Sequence, residues 1–189
     1  MYGKSCIHER SSIMYPIRKA VTGDIPHIVS IYDHILTEEE SGKASIGWIR
    51  GVYPTGQTAL DALSAGELFV LTMDNTVAAA ARINQIQVPE YANAHWSTGN
   101  VPDDRVMVLH TLVVDPAFSG MGCGSAFVKF YETYALEHHC PYLRMDTNAR
   151  NQAARKLYAR LGYREADIVP CVFNGIPDVK LVCLEKTLE

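Results

Sequence analysis

The sequence predicts an α/β fold, a mixed sheet flanked by helices, and three observations lead to it. Apolar runs of strand character recur along the chain, interleaved with segments of 3.6-residue periodicity. Asp74-Asn75 sits between two such runs as a hairpin turn. Most informative is the stretch 108–125. There an apolar, β-branched run ends at Asp115-Pro116, and Gly120, Gly122 and Gly124 then lead into an amphipathic helix.

Taken in order, residues 15–20 read as a short strand. Thr22-Gly23-Asp24 caps a helix whose apolar positions are Ile25, Ile28, Val29, Tyr32, Ile35 and Leu36. The acidic stretch 37–43 reads as a solvated connection and 47–51 as a loop. Pro54-Thr55 opens a second helix through Ala65, ended by Gly66. Residues 67–73 and 76–86 form the hairpin, and 87–104 is a long irregular stretch. After the glycines come a helix bearing Phe127, Phe130, Tyr131, Tyr134 and Ala135, a strand over 142–146, and a helix over 151–161 ended by Gly162. Two closing strands, 164–173 and 178–187, are linked by Asn174-Gly175-Ile176-Pro177.

A chain of 189 residues with 48% hydrophobic and 20% charged residues is the size of one domain with a substantial core. The expected organisation is a polar, poorly ordered extension over 1–13 and a single domain over 14–189. A net charge of −4 provides no basic field for nucleic acid or an anionic membrane. Five cysteines without paired spacing read as free thiols in a reducing, cytoplasmic setting, and residues 1–13 lack the apolar core of a signal peptide. His138-His139-Cys140 provides no metal site, because adjacent helical side chains point apart, so no metal is expected.

The strand-glycine-helix unit presents bare N–H groups at a helix N-terminus, a seat for a phosphate-bearing molecule. A dinucleotide-binding fold would read Gly120-x-Gly122-x-x-Ser125 as its fingerprint, with Asp146 gripping a ribose. Residues 115–119 intervene between strand and glycines, and the downstream βαβ repeats are missing, so this reading is the weaker one. The alternative rests on three motifs in order: Ile17-Arg-Lys-Ala20 followed by Asp24; Ser119-Gly-Met-Gly122-Cys-Gly124 behind Leu112-Val113-Val114; and Asn151-Gln-Ala-Ala154-Arg-Lys-Leu157-Tyr158-Ala-Arg-Leu-Gly162-Tyr163. In these the chain, from about Ile17 to its end, resembles the GCN5-related N-acetyltransferase (GNAT) superfamily.

That resemblance implies a central, mostly antiparallel sheet and acetyl-CoA as co-substrate for transfer to an amine of a small molecule, amino acid or peptide. Direct transfer is expected because no Cys-His or Ser-His pair is placed for a covalent acetyl-enzyme. Leu112, Val113 and Val114 would pair with the pantetheine arm, provided strand 142–146 splays away. Backbone groups of Gly120, Met121, Gly122, Cys123, Gly124 and Ser125 would hold the pyrophosphate. Ser119 stands where the family usually has Arg or Gln, so one contact is missing. Asn151 would contact the pantetheine amide, and an N–H near Leu112 would polarise the thioester carbonyl. Tyr158, seven residues after Asn151 and on the same helix face, is the candidate general acid.

His110 is a candidate base that shares strand parity with Leu112 and Val114, and a similar His-x-Leu-x-Val string occurs in arylalkylamine acetyltransferases. Asp146 lies where some members place a glutamate base, although it is equally suited to capping the turn before Thr147. Tyr32, Trp48, Asn84, Gln85 and Trp96 are candidate acceptor contacts, with Tyr53, Tyr91, His95 and Gln87 nearby in the variable regions. Members are often dimers, which makes a homodimer one expectation. The rival function is an acyl-CoA-binding sensor without catalysis.

Overall fold

A computed structural model describes residues 15–189; the extension expected over 1–13 lies outside them. Seven strands form one sheet in the order β1-β2-β3-β4-β5-β7-β6: β1 (Ile17–Lys19), β2 (Leu68–Met73), β3 (Thr76–Asn84), β4 (Val106–Val114), β5 (Tyr142–Asn148), β6 (Arg164–Phe173) and β7 (Ile176–Thr187). Every neighbouring pair is antiparallel except β4 and β5. The four α-helices are α1 (Ile25–Glu40), α2 (Gly56–Ser64), α3 (Cys123–Glu137) and α4 (Gln152–Arg160).

Periodicity decides which face each helix covers. Ile28, Ile31, Tyr32 and Ile35 of α1 pack with Ala59 and Ala62 of α2 onto Leu68, Val70, Ala80 and Val113. The opposite face takes α3 and α4, where Phe127, Tyr131 and Tyr158 meet Met107, Leu109, Leu143 and Met145. A third cluster joins Val106, Val108, Val169 and Leu181 to Tyr91 from the long stretch 87–104. That stretch forms two short 3-10 turns, Pro89–Asn93 and Asp103–Arg105, and covers the β5–β7–β6 end of the sheet.

Two expected boundaries move. The acidic segment 37–40 continues α1, with Thr37 Oγ1 donating to the Asp33 carbonyl at 2.8 Å and Arg50 pairing with Asp33 and Glu40. The 174–177 link shrinks to Asn174-Gly175, because Ile176 already pairs with Phe173. Both turn residues have positive φ, 50° and 78°, the tight hairpin geometry that Asn-Gly favours.

The loop before α3 depends on glycine. Gly122, its N-cap, sits at φ 85°, where a side chain is strained. Gly124 lets α3 approach α4, since a Cβ there would come within 3.1 Å of Leu157 Cδ2. Gly23, by contrast, has ordinary φ and open space around its Cβ position. Gly122→Ala is expected to cost about 1–2 kcal/mol, whereas Gly23→Ala gains up to about 1 kcal/mol by restricting the unfolded chain. Urea midpoints moving in opposite directions would bear this out; a stabilised Gly122→Ala would contradict it.

Candidate active site

The site begins with one irregularity in β4. Arg82 pairs with His110, but Ala80 pairs with Val113, so two residues of β4, Thr111 and Leu112, oppose the single Ala81. Thr111 takes up the extra residue at φ 51°, and its hydroxyl bonds to the Tyr53 hydroxyl. This bulge corrects the strand-parity expectation. His110 shares a face with Val113 on the α1/α2 side, while Leu112 and Val114 pack against the α3/α4 cluster.

The parallel β4–β5 ladder runs from Val106↔Tyr142 to Leu109↔Met145 and stops there. Beyond that point β4 stays paired with β3 to Val114, and β5 stays paired with β7 to Asn148. The two strands therefore part, which is the splay the sequence reading required. The Asp115 N–H bonds to Ala78 of β3, so alternation turns the polar backbone groups of Leu112 and Val114 toward the opening.

A cavity of about 590 Å³ fills that opening and is lined by Thr111 to Val114, Ser119, Asp146 to Asn148, Asn151 and Tyr158, with Trp48 across from them. Gly120, Gly122 and the α3 N-terminus follow directly from the β4 end of this groove. Left-handed φ values at Gly120 and Gly122 shape a loop of bare amides at the positive end of a 15-residue helix, chemistry that fits a pyrophosphate. Met121 is the exception in this loop. Its N–H donates to the Phe118 carbonyl at 3.3 Å and its carbonyl accepts from the Tyr15 hydroxyl, so the expected Met121 contact to a phosphate is not free. Ser125 belongs to the first turn of α3. Cys123 contributes only its backbone there: its side chain is buried and its thiol donates to Met73 Sδ at 3.4 Å. Asn151 caps α4, its side chain accepting from Ala154 N–H at 3.1 Å.

A second cavity of about 250 Å³ shares Tyr53, Thr111, Asp146, Phe173 and Asn174 with the first, and adds Tyr32, Arg82, Asn84 and His110. Asp146 sits where the two meet. Desolvation pushes its carboxyl up to about 7, against a lowering hydrogen bond from the Tyr91 hydroxyl at 2.8 Å. His110 goes the other way. Burial, then the Arg82 charge, lowers it to about 4 and keeps it neutral. Its Nε2 lies 2.8 Å from Asn84 Oδ1, which also accepts from Ile86 N–H, so Nε2 carries the proton. Burial and the Asp146 charge raise the Tyr158 hydroxyl well above its usual value, so it stays protonated at neutral pH.

The remaining sequence candidates separate. Tyr32 and Asn84 line the second cavity and Trp48 the first. Gln85 and Trp96 line neither. Gln85 is held by the Asp104 carbonyl and Cys140, and Trp96 stacks on the Arg144 guanidinium at 4.0 Å while donating to the Tyr91 carbonyl. Trp96 thus braces Tyr91 from outside both cavities. Sequence reasoning named Tyr53 and Tyr91 only as aromatic surface and passed over Arg82, Thr111 and Phe173. A bulge and a contact from a distant loop leave no local pattern, whereas the Arg82-x-Asn84 alternation in β3 was a readable signal.

Titrating the Asp146 carboxyl by NMR is expected to give a midpoint near 7, shifted upward in Tyr91→Phe because the lowering hydrogen bond is lost. A raised folded-state value favours the fold at low pH, and this contribution disappears as pH rises from about 4 to 7. Asp146→Asn should lose that part of the pH dependence of stability. A midpoint near 4 in the wild type would contradict the assignment.

Comparison with known proteins agrees with this geometry. The model of the Acetyltransferase (GNAT) family matches residues 30–163. Two uncharacterized N-acetyltransferases of Methanocaldococcus jannaschii are each 30% identical over 77 residues, covering 40% and 41% of this chain. The matched stretch spans 49% of one relative and 34% of the other. A GNAT-family acetyltransferase from Streptococcus agalactiae shares the fold at TM-score 0.77 and 22% identity, over 92% of this chain and 95% of that one. A Salmonella typhimurium structure described with its cofactor acetyl-CoA gives TM-score 0.67 and 18% identity over 93% and 94%. With a family model spanning the bulged strand, the glycine loop and α4, the chain belongs to the acetyltransferase (GNAT) family.

Proposed function

We propose that the protein is an acetyl-CoA-dependent N-acetyltransferase that passes the acetyl group directly to an amine, with Asp146 as general base and Tyr158 as general acid. The observation that supports this most is the position of Asp146. It is a carboxyl titrating near neutrality at the junction of two cavities, one running along the parted strands and one opening to the α1/α2 side. The Salmonella neighbour, described with acetyl-CoA, and the bare-amide loop support the choice of donor.

Acetyl-CoA supplies an acetyl thioester, and the chain's own residues do the rest. Leu112, facing the opening, offers its N–H to the carbonyl oxygen, where negative charge develops. The acceptor nitrogen forms the new C–N bond as the C–S bond breaks. Asp146 takes the proton released from nitrogen, and the Tyr158 hydroxyl donates to the departing sulfur. Asp146 suits the base role better than His110, because an imidazole lowered to about 4 takes a proton from an ammonium far less readily than a carboxyl near 7. Direct transfer is favoured over a covalent acetyl-enzyme: Cys183, paired with Asp146 on β7, is buried and its thiol is pushed up to about 12, and Cys123 is buried against Met73.

Thiol release from acetyl-CoA, followed across a panel of amines, tests the reading. The rate is expected to rise with pH to a plateau with a midpoint near 7, and Asp146→Asn should abolish that limb. Asp146→Asn and Tyr158→Phe should each lower kcat by roughly 10²–10⁴-fold with little change in CoA affinity. CoA binding without thiol release from any amine would instead indicate an acyl-CoA sensor.

A further inference from the structure

We propose that the smaller cavity selects a zwitterionic acceptor, an aminocarboxylate whose amine lies against Asp146 and whose carboxylate is bound by Arg82. The proposal rests on the acetyl-transfer reading above and names its substrate class.

Arg82, His110 and Asp146 stand in a row across β3, β4 and β5. Arg82 pairs directly with His110, and the β4–β5 register that ends at Leu109↔Met145 puts Asp146 next in line. All three line the cavity. Its ends are at least two strand spacings apart, about 10 Å or more between backbones, since β4 and β5 part beyond Met145. The side chains shorten that gap to the scale of a small molecule.

The guanidinium at one end is oriented without being closed off. Arg82 Nε and Nη2 both meet Glu67 Oε2, at 2.7 and 2.6 Å. The same oxygen accepts from Asn84 Nδ2 at 2.8 Å, and Asn84 is fixed in turn by His110 and Ile86. Glu67 therefore engages one edge of the guanidinium. Nη1, with two of the five N–H donors, has no hydrogen-bond partner among the described residues. A planar donor edge in a partly desolvated cavity suits a carboxylate better than any other common acceptor group.

Charge balance points to a zwitterion. Glu67 and Arg82 cancel each other, and His110 is neutral. A purely anionic ligand would leave the cavity with surplus negative charge beside Asp146. A simple alkylamine would leave the Arg82 donors desolvated and unpaired. An aminocarboxylate meets both ends, and Tyr32, Tyr53, Leu68 and Phe173 wall the space between with apolar surface.

The test compares thiol release from acetyl-CoA with a graded series of ω-amino acids, from glycine upward, against their primary amides and the corresponding n-alkylamines. For at least one length, kcat/KM for the acid should exceed that for the amide by about tenfold or more, the worth of one charged hydrogen bond. In Arg82→Gln the ratio should fall toward one, through KM rather than kcat. Arg82→Lys, which keeps charge but not the fork, should give an intermediate ratio and serves if the glutamine variant does not fold. Equal rates for acids and amides in the wild type, or a preference that survives Arg82→Gln, would overturn the proposal while leaving acetyl transfer intact. CoA binding with no thiol release from any amine would defeat acetyl transfer, and the proposal with it.

Discussion

Thr111 holds a left-handed backbone in the middle of a buried strand, so β4 carries one residue more than its neighbour β3 can match. The extra residue bends β4 at the point where it ceases to pair with β5. Without the bend, Leu112 and Val114 would spend their backbone groups on β5. With it, those groups line an open groove that leads to the amides at the start of α3. The left-handed conformation of a β-branched residue is itself unfavourable. What offsets it is the surrounding fold: β3 grips β4 on both sides of the bulge, and Tyr53 reaches from the α1–α2 connection to bond the Thr111 hydroxyl.

The same parting of strands sets the electrostatics. Asp146 is the first residue of β5 beyond its pairing with β4, half-buried beside Tyr53, Tyr91 and Tyr158. Desolvation outweighs the single hydrogen bond from Tyr91, so the carboxyl is poised near neutrality. That hydrogen bond in turn depends on the stretch 87–104. Trp96 holds the Tyr91 carbonyl and stacks on Arg144, while Ser97 N–H binds Glu185 at 3.0 Å. A loop without long secondary structure is thereby fastened at several points and brings Tyr91 to Asp146.

The elements that were legible in the sequence are those with a local cause. Helix α1 announced itself by the spacing of Ile28, Tyr32 and Ile35, the β2–β3 turn by Asp74-Asn75, and the glycine loop by its alternation. Asn151 and Tyr158 were placed on one helix by counting turns, and both line the large cavity. What the sequence could not convey was non-local. The bulge reversed the face assigned to His110 relative to Leu112, because parity arguments assume an unbroken strand. Gln85 and Trp96 were grouped with the acceptor contacts from their place in a variable region, yet their partners are Cys140 and Arg144, each dozens of residues away. Arg82 was overlooked although its alternation with Asn84 was visible, because its meaning comes from Glu67, just ahead of β2, and from His110 on β4.

The central claim is that the bulge leaves the Leu112 and Val114 backbone open for a ligand that lies along β4 as a strand would. Amide hydrogen exchange on the intact protein, with and without CoA, reads this directly. Leu112 and Val114 should exchange rapidly in the free protein and slow markedly when CoA is added, while Val108, within the paired part of the sheet, remains protected in both states. Slow exchange at Leu112 and Val114 in the free protein, or no change on adding saturating CoA, would contradict the account.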